Sequence, residues 1–428
     1  MGTVTMNIPR AWQMMRSRMT RETNAAIRVI PAGEQPGDSG SGSTSRGTGR
    51  DRFPALSVRA ATAFRALTLT ALMFFLLWPA SVQGGQEHTI IDAAGRTVRL
   101  PQRIDRVVCS GAGCLRLLTY LKAQNLIVAV DSIEKRDTIF SARPYAIANP
   151  QFKDFPLFGE FRGFDQPELI VSLESQPQVI FKTFAASGYN PDELQSKTGI
   201  PVVVLNHGDL GAGRQDLFHA LRLMGAVVGK ERRAGEVIAF FENAIRDLNR
   251  RTADIPADQS NTCFVGGIAF RGPHGLQSTE AGYPPFAFVN AVNVAAQPDR
   301  HIQNITVAKE RIVAWDPSVL FLDLSTIQLG DRAGALFELK TDAACRTLGA
   351  VRAGNVYGVL PYNWYAQNLG SILADAYFIG KTLYPWRFTD IDPKAKADEI
   401  YAFLVGKEVF AEMNASFSGL VFEKIPLE

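Results

Sequence analysis

Residues 166–180 read QPELIVSLESQPQVI, and residues 308–320 read AKERIVAWDPSVL. In both stretches a Glu lies at the start of a short apolar helical segment, a Pro-containing turn follows, and a run of aliphatic residues predicts a buried strand. The same helix–turn–strand unit therefore occurs once in each half of the chain. This repetition predicts two similar α/β lobes.

The residues around these units alternate between predicted strands and helices. In the first half, strands are predicted at Val107–Cys109, Leu126–Val130, Val179–Lys182 and Val202–Leu205, with a helix at Cys114–Lys122. In the second half, the apolar runs CFVGGIAF (263–270) and GNVYGVLP (354–361) are predicted strands. Helix and strand alternating at this spacing favour a parallel sheet that is covered on both faces.

A long helical pattern separates the two halves, from about Arg214 to Thr252, and Gly225 and Gly229 are expected to divide it into two segments. The predicted fold is therefore α/β, with two lobes containing parallel-type sheets, one long helical linker and a ligand cleft between the lobes. The predicted boundaries are 86–213 for the N-terminal lobe, 214–255 for the linker and 262–428 for the C-terminal lobe.

The first 84 residues have a different composition. Residues 58–84 contain two Arg, then an apolar stretch of 13 residues from Ala66 to Trp78, then small and polar residues, which is the layout of a cleavable secretory signal. An uncleaved membrane anchor is the alternative. Residues 1–57 are interpreted as a disordered extension or as the product of a misassigned start codon, with Val58 as a candidate true start.

The charge of the remaining chain argues against a nucleic-acid partner. The whole sequence has a formal net charge of +3, but the residues after position 84 carry 35 basic and 38 acidic side chains. No polybasic surface for nucleic acid is expected from this balance. The four cysteines, Cys109, Cys114, Cys263 and Cys345, form no CxxC pair, so a finger-type zinc site is not indicated, whereas their disulfide status stays open.

Loops that follow the predicted strands should line the cleft, and aromatic, amide and cationic side chains there are candidates for ligand contacts. Rings supply stacking area and arginines can meet an anionic ligand. The candidate ligand-binding residues are Arg143, Tyr145, Arg162, Tyr189, Arg271, His274, Tyr283, Tyr362, Trp364 and Tyr365. His207 also falls in a candidate cleft loop, but no histidine-rich loop is present, so no metal-ligand set is assigned.

The sequence also bears on whether the chain is an enzyme. The sequence contains no nucleophile elbow, phosphate-binding loop or zinc-hydrolase spacing, so no catalytic residue and no cofactor is assigned.

Several phrases of the sequence resemble one protein family. Besides the paired helix–turn–strand units, these are IIDAAGRTVRLPQRIDRVV at 90–108, CSGAGCLRLLTYLKAQNLIVAVD at 109–131 and TLGAVRAGNVYGV at 347–359. Together they resemble the periplasmic proteins that bind iron–siderophores, haem or vitamin B12 for ABC importers. The resemblance implies a monomer that captures a metal chelate and delivers it to an ABC permease in the inner membrane. It also implies that Glu168 and Glu310, one on each lobe, dock onto that permease.

Two alternatives stay open at this point. The ligand could be a bare metal ion or an oxyanion, or the chain could be a membrane-tethered sensor that reuses the fold.

Overall fold

The computed structural model describes residues 87–137, 140–297 and 304–427. The strands are β1 Glu87–Ile91, β2 Thr97–Pro101, β3 Val107–Ser110, β4 Val130–Asp131, β5 Leu157–Glu160, β6 Phe164–Asp165, β7 Val179–Thr183, β8 Val202–Leu205, β9 Thr262–Gly266, β10 Ser278–Thr279, β11 Val292–Asn293, β12 Ile305–Thr306, β13 Val319–Asp323 and β14 Val356–Val359.

The α-helices are α1 Cys114–Tyr120, α2 Pro144–Ala148, α3 Pro167–Ser172, α4 Pro191–Thr198, α5 Arg214–Val227, α6 Glu231–Thr252, α7 Pro284–Phe288, α8 Lys309–Trp315, α9 Ala335–Thr341, α10 Gly349–Arg352, α11 Leu369–Leu383, α12 Pro393–Val405 and α13 Phe410–Ser416. The extension at 1–57 and the signal sequence at 58–84 lie outside the described residues.

Two parallel sheets form the centres of the two lobes. The N-terminal lobe contains a sheet of strand order β3-β7-β8, and the C-terminal lobe contains a sheet of order β11-β9-β13-β14. The strands β3, β7, β8 and β13 are buried along their whole length, as parallel strands covered on both faces must be. The α/β fold class predicted from the sequence is confirmed.

The two sheets are joined by helices α5 and α6, which lie within the stretch predicted to be helical. The chain leaves the helical conformation between Val227 and Glu231, where Gly229 has a φ of 65° that few other residues adopt at low cost. On α6 the side chains of Val237, Phe241 and Leu248 are buried, which anchors the linker to the core.

The last part of the chain crosses back to the first lobe. Helix α12 packs against α11 and also against α1 and α2 of the N-terminal lobe. Arg233 at the start of α6 joins these parts, because its guanidinium donates to the carbonyl oxygens of Tyr120, at 3.0 Å, and Phe403, at 2.5 Å. The lobe boundaries at 86–213, 214–255 and 262–428 remain a prediction.

Two local expectations differ from the structure. The strand predicted at Leu126–Val130 is a 3₁₀ turn at Gln124–Leu126 followed by the two-residue strand β4, because the chain turns away from β3 to pair with β5. The strand predicted through residue 270 ends at Gly266, since Gly267 has a φ of 79°. The sequence left the disulfide status open, and in the structure all four cysteines are buried free thiols.

Candidate functional site

The candidate site lies where loops from both sheets meet. The loop that follows β3 and helix α1 contact the segment Tyr362–Asn368, which follows β14 and is called the bridging segment below, and the loop that follows β8 packs against the loop that follows β3. Because the carboxyl ends of parallel strands open at one edge of a sheet, such an edge is the usual position of a ligand site in α/β proteins. The bridging segment therefore closes the edge that faces the cleft.

Arg116 of α1 holds the bridging segment from the N-terminal lobe. Its two terminal nitrogens donate to the carbonyl oxygens of Gln367 at 2.7 Å, Tyr365 at 2.8 Å and Trp364 at 3.2 Å. The Arg116 side chain is buried, with 1% of the residue exposed. Sequence reasoning missed this residue because its neighbours Leu115 and Leu118 indicate an ordinary core helix, and an Arg among them is expected to face solvent.

Tyr365 makes a second connection between the lobes. Its hydroxyl donates a hydrogen bond to the Asp131 carboxylate and accepts one from the backbone N–H of Arg162 at 3.0 Å. Burial raises the pKa of Asp131 to about 7, although the hydrogen bond from Tyr365 acts in the opposite direction. A carboxyl group that titrates near neutrality therefore lies directly at the lobe contact.

Arg162 and Arg271 are the exposed cations of the site. Both have left-handed backbone conformations, with φ of 65° and 57°, and neither has an ion-pair partner within the described ranges. The turn that carries Arg162 is stabilised by the buried Lys182, whose ammonium group donates a hydrogen bond to the Gly163 carbonyl oxygen at 3.0 Å. Strained backbone in both arginine loops is typical of positions whose side chains have a function.

The bridging segment connects these two arginine loops. Asn363 donates to the carbonyl oxygen of Ala269 at 2.9 Å, two residues before Arg271, while Tyr365 contacts the backbone of Arg162. The bridging segment, which contains Trp364 and Tyr365, therefore contacts both the loop that carries Arg162 and the loop that carries Arg271. Trp364 is half-buried, and its carbonyl oxygen accepts from Arg116.

Other predicted ligand-binding residues are engaged within the protein. Arg143 is buried in an ion pair with Glu134 at 2.8 Å, and the Tyr145 hydroxyl donates to the same carboxylate at 2.6 Å. Tyr283 and Tyr362 are each 1% exposed, and the Tyr362 hydroxyl donates to the buried Glu280. As the lobes are arranged here, these four side chains offer almost no surface to a ligand.

The remaining predicted contacts lie near the surface. The Tyr189 hydroxyl accepts a hydrogen bond from Lys197 at 2.7 Å, and the Nε2 of His274 lies 2.8 Å from the Phe270 carbonyl oxygen. His274 therefore stabilises the turn that carries Arg271. Within the described part of the chain, no group of three His, Cys, Asp or Glu side chains is arranged to hold a metal ion.

Glu168 and Glu310, the predicted permease contacts, occupy equivalent positions in the two lobes. Each is exposed in the first turn of its helix, α3 or α8, and neither has an ion-pair partner among the residues that the structure describes. Their role in docking stays a prediction.

Little empty space remains beneath the bridging segment. A cavity of about 10 Å³ lies beneath Tyr365, lined among others by Cys109, Gly111, Asp131 and Glu134. This volume corresponds to about one water molecule. A ligand of any size must therefore displace the bridging segment to reach the buried residues beneath it.

Comparisons with known proteins agree with this architecture. Residues 144–362 match the family described as periplasmic binding protein. The chain is 25% identical over 361 residues to the molybdate-binding protein MolA of Haemophilus influenzae, an alignment that covers 77% of this chain and 94% of that protein.

Solved structures share the fold. A periplasmic solute-binding protein of Veillonella parvula aligns with a TM-score of 0.60 at 16% identity, covering 79% of this chain and 98% of that one. MolA of Haemophilus influenzae bound to molybdate aligns with a TM-score of 0.56 at 21% identity, covering 75% and 98%.

The chain belongs to the periplasmic binding protein family, whose members deliver a ligand to an ABC permease. It is therefore a solute-binding component of an ABC transporter, as the sequence resemblance implied. Among the described helices, none combines the length and the apolar character that a membrane crossing requires.

Proposed function

We propose that this chain captures a small oxyanion in the periplasm and delivers it to its ABC permease. The observation that carries this proposal is the pair of exposed guanidinium groups, Arg162 and Arg271, one on each lobe and both without a carboxylate partner among the described residues. A tetrahedral or octahedral oxyanion offers several oxygens that two arginines can bind from opposite sides.

The relationship to MolA supports the same choice of ligand. That protein is described as molybdate-binding, and its alignment with this chain extends over nearly its full length. The small cavity beneath Tyr365 also suits a compact ligand better than a large one, because less of the bridging segment has to move. Export through the signal sequence at 58–84 and docking through Glu168 and Glu310 complete the proposed transport role.

A metal chelate, the ligand class that the sequence resemblance implied, is the second candidate. It is favoured by exposed aromatic rings in loops that follow strands, since Phe184 and Phe270 are 47% and 43% exposed. The Phe161 ring lies close to two guanidinium groups, with its centroid 4.1 Å from the guanidinium carbon of Arg136 and 5.0 Å from that of Arg162. Such rings and cations could contact an anionic siderophore or haem.

Thermal unfolding in the presence of candidate ligands distinguishes these functions. The panel contains molybdate, tungstate, sulfate, phosphate, ferric siderophores, haemin, cobalamin and divalent metal ions. A ligand at about one hundred times its Kd stabilises the folded state by about 2.7 kcal/mol, which raises the melting temperature by a few degrees. Stabilisation by molybdate or tungstate is expected. Stabilisation by chelates alone would establish the second candidate, and stabilisation by bare metal ions alone would contradict both.

A further inference from the structure

Arg116 is a buried cation whose charge is poorly compensated. It has no ion pair with a carboxylate in the described chain, and its hydrogen-bond acceptors are the three neutral carbonyl oxygens of the bridging segment. The nearby Glu134 is bound by Arg143 and Tyr145. The Nε–H of Arg116 is buried and has no acceptor. Burying a charge without a counter-charge is costly, so an anion at this position would be strongly favoured.

His207, in the loop after β8, carries a second unsatisfied nitrogen. The residue is 4% exposed, and its Nδ1 lies 3.0 Å from the Gly208 carbonyl oxygen. Because a carbonyl can only accept, Nδ1 must carry a proton, which leaves Nε2 to face the interior. That Nε2 is buried and has no hydrogen-bond partner.

The surroundings of His207 show that its Nε2 lies at the contact between the lobes. A Cβ atom added to Gly113 would lie 2.2 Å from Nε2 and 3.2 Å from the Cβ of Ala366, a residue of the bridging segment. The ring stacks on Phe184, with 5.4 Å between the ring centroids. Burial, and after it the positive charge of Arg116, lower the pKa of His207 to about 4, so the ring is neutral near pH 7 when no ligand is bound.

We propose that Arg116 and His207 form the inner subsite for the oxyanion, beneath the bridging segment. In this arrangement the oxyanion displaces the carbonyl oxygens of Trp364, Tyr365 and Gln367 from the Arg116 guanidinium. One proton, taken from solvent, then lies between Nε2 of His207 and an oxygen of the ligand. The anion supplies the missing counter-charge and satisfies both orphaned nitrogens. Arg162 and Arg271 act at the outer rim.

This inference rests on the proposed function. It adds Arg116, which the sequence did not single out, and gives a role to His207, which the sequence had placed in a candidate cleft loop. It also explains the left-handed backbone of Tyr365 and Ala366, with φ of 52° and 61°. A strained bridging segment is one that can be displaced at lower cost than a relaxed one.

The test is calorimetric titration of the full-length protein with sodium molybdate in two buffers of different ionisation enthalpy at pH 7.5. Wild type is expected to take up about one proton for each molybdate bound. His207→Gln is expected to bind at least roughly tenfold more weakly and to take up no proton, and Arg116→Gln is expected to lose at least as much affinity. His219→Gln and Arg222→Gln are the matched controls, since both residues are exposed on α5.

The outcomes separate this inference from the proposed function. Molybdate binding that is equally tight in wild type and His207→Gln, with the same proton uptake, would overturn the subsite while leaving the oxyanion function intact. An Arg116→Gln variant that melts earlier but binds with unchanged Kd would show that Arg116 only stabilises the bridging segment, which also overturns the subsite. No binding of any oxyanion by wild type would overturn the proposed function and this inference together.

Discussion

The hydroxyl group of Tyr365 donates a hydrogen bond to the carboxylate of Asp131, a residue 234 positions earlier in the chain. The same oxygen accepts from the backbone N–H of Arg162. One phenol group therefore connects the bridging segment of the C-terminal lobe to two loops of the N-terminal lobe. Because the contact is polar, it can be exchanged for contacts with a ligand at a modest net cost.

Replacing Tyr365 with Phe is expected to lower the free energy of unfolding by about 1–3 kcal/mol, because the buried Asp131 carboxyl and the Arg162 N–H both lose the hydrogen bond to its hydroxyl. Urea denaturation measures this change, and hydrogen exchange of residues 362–368 should become faster. Tyr357→Phe is the control, since the Tyr357 hydroxyl makes no hydrogen bond within the described structure. Equal stability of the two variants would show that the Tyr365 hydroxyl contributes nothing to the lobe contact.

A second prediction concerns the space that Gly113 leaves for His207. Gly113 has a φ of 78°, and an added Cβ would lie 2.2 Å from Nε2 of His207. Gly199 has a similar φ of 69° with nothing within 4 Å of an added Cβ, so it is a matched control for backbone strain alone. Gly199→Ala is expected to cost about 1 kcal/mol. Gly113→Ala should cost about 2 kcal/mol more, because the ring must move.

The two glycine variants are compared by urea denaturation under the same conditions. Equal free energies of unfolding would mean that the His207 ring can move away without loss, and the close packing inferred at the lobe contact would then be wrong.

The parts of the fold that could be predicted from the sequence are those that local residue patterns determine. The run VVVL at 202–205 forms β8 with the predicted bounds, and the helical linker breaks near the predicted glycines. Continuous apolar runs and glycine breaks act through nearby residues, so their effect is visible in the sequence.

The buried part of the site could not be predicted in the same way. The partners of Arg116 lie 248 to 251 positions later in the chain, and no local pattern records them. The burial of Tyr283 and Tyr362 also depends on long-range packing, which a sequence window does not contain. By contrast, Arg162 and Arg271 could be proposed from the sequence, because polar residues in loops after strands are candidates whatever their distant neighbours are. Their role in ligand binding stays a prediction.

A third prediction follows from the buried carboxyl group of Glu280. Burial raises its pKa to about 8, against the effect of the hydrogen bond from Tyr362, whereas the unfolded chain titrates near 4.5. Between these two values the folded protein holds a proton that the unfolded chain has released. The free energy of unfolding should therefore fall as the pH rises, by up to about 1.4 kcal/mol for each pH unit.

The effect of Glu280 is measured between pH 6.5 and 8. The lowered pKa of His207 gives a contribution of opposite sign, which fades as the pH rises above 6.5 and the unfolded imidazole loses its proton. Asp131, with a pKa raised to about 7, acts in the same direction as Glu280 over the lower part of the range.

Glutamine at position 280 keeps an acceptor for Tyr362 but cannot titrate. The slope of the free energy of unfolding against pH should therefore be smaller in Glu280→Gln than in wild type, by roughly 1 kcal/mol for each pH unit. Urea denaturation at several pH values measures both slopes. Glu242→Gln, at an exposed position on α6, is the control and should keep the wild-type slope. A Glu280→Gln variant with an unchanged slope would show that the Glu280 carboxyl is already ionised in the folded protein.

The last prediction concerns Glu168 and Glu310, which lie exposed in the first turns of α3 and α8, one on each lobe. A permease that binds both carboxylates at once can respond to the distance between the lobes, because that distance sets the spacing of the two charges. Changing both residues to Lys should therefore reduce uptake of the ligand by cells at least roughly tenfold, since the substitution reverses both charges that the permease is proposed to bind. The Kd of the purified protein for the ligand should not change, because neither residue lies at the closed edge.

Glu242→Lys provides the matched charge reversal on an exposed helix surface and should leave uptake normal. Normal uptake by the double variant would contradict the docking assignment, and weaker ligand binding by the purified protein would mean that the two residues act on the lobes themselves.

Single reversals should each give an intermediate loss of uptake, because one remaining carboxylate still orients the encounter with the permease. A full loss from Glu168→Lys alone would instead indicate that the permease contacts chiefly the N-terminal lobe, and that it does not sense the spacing of the two lobes through this pair.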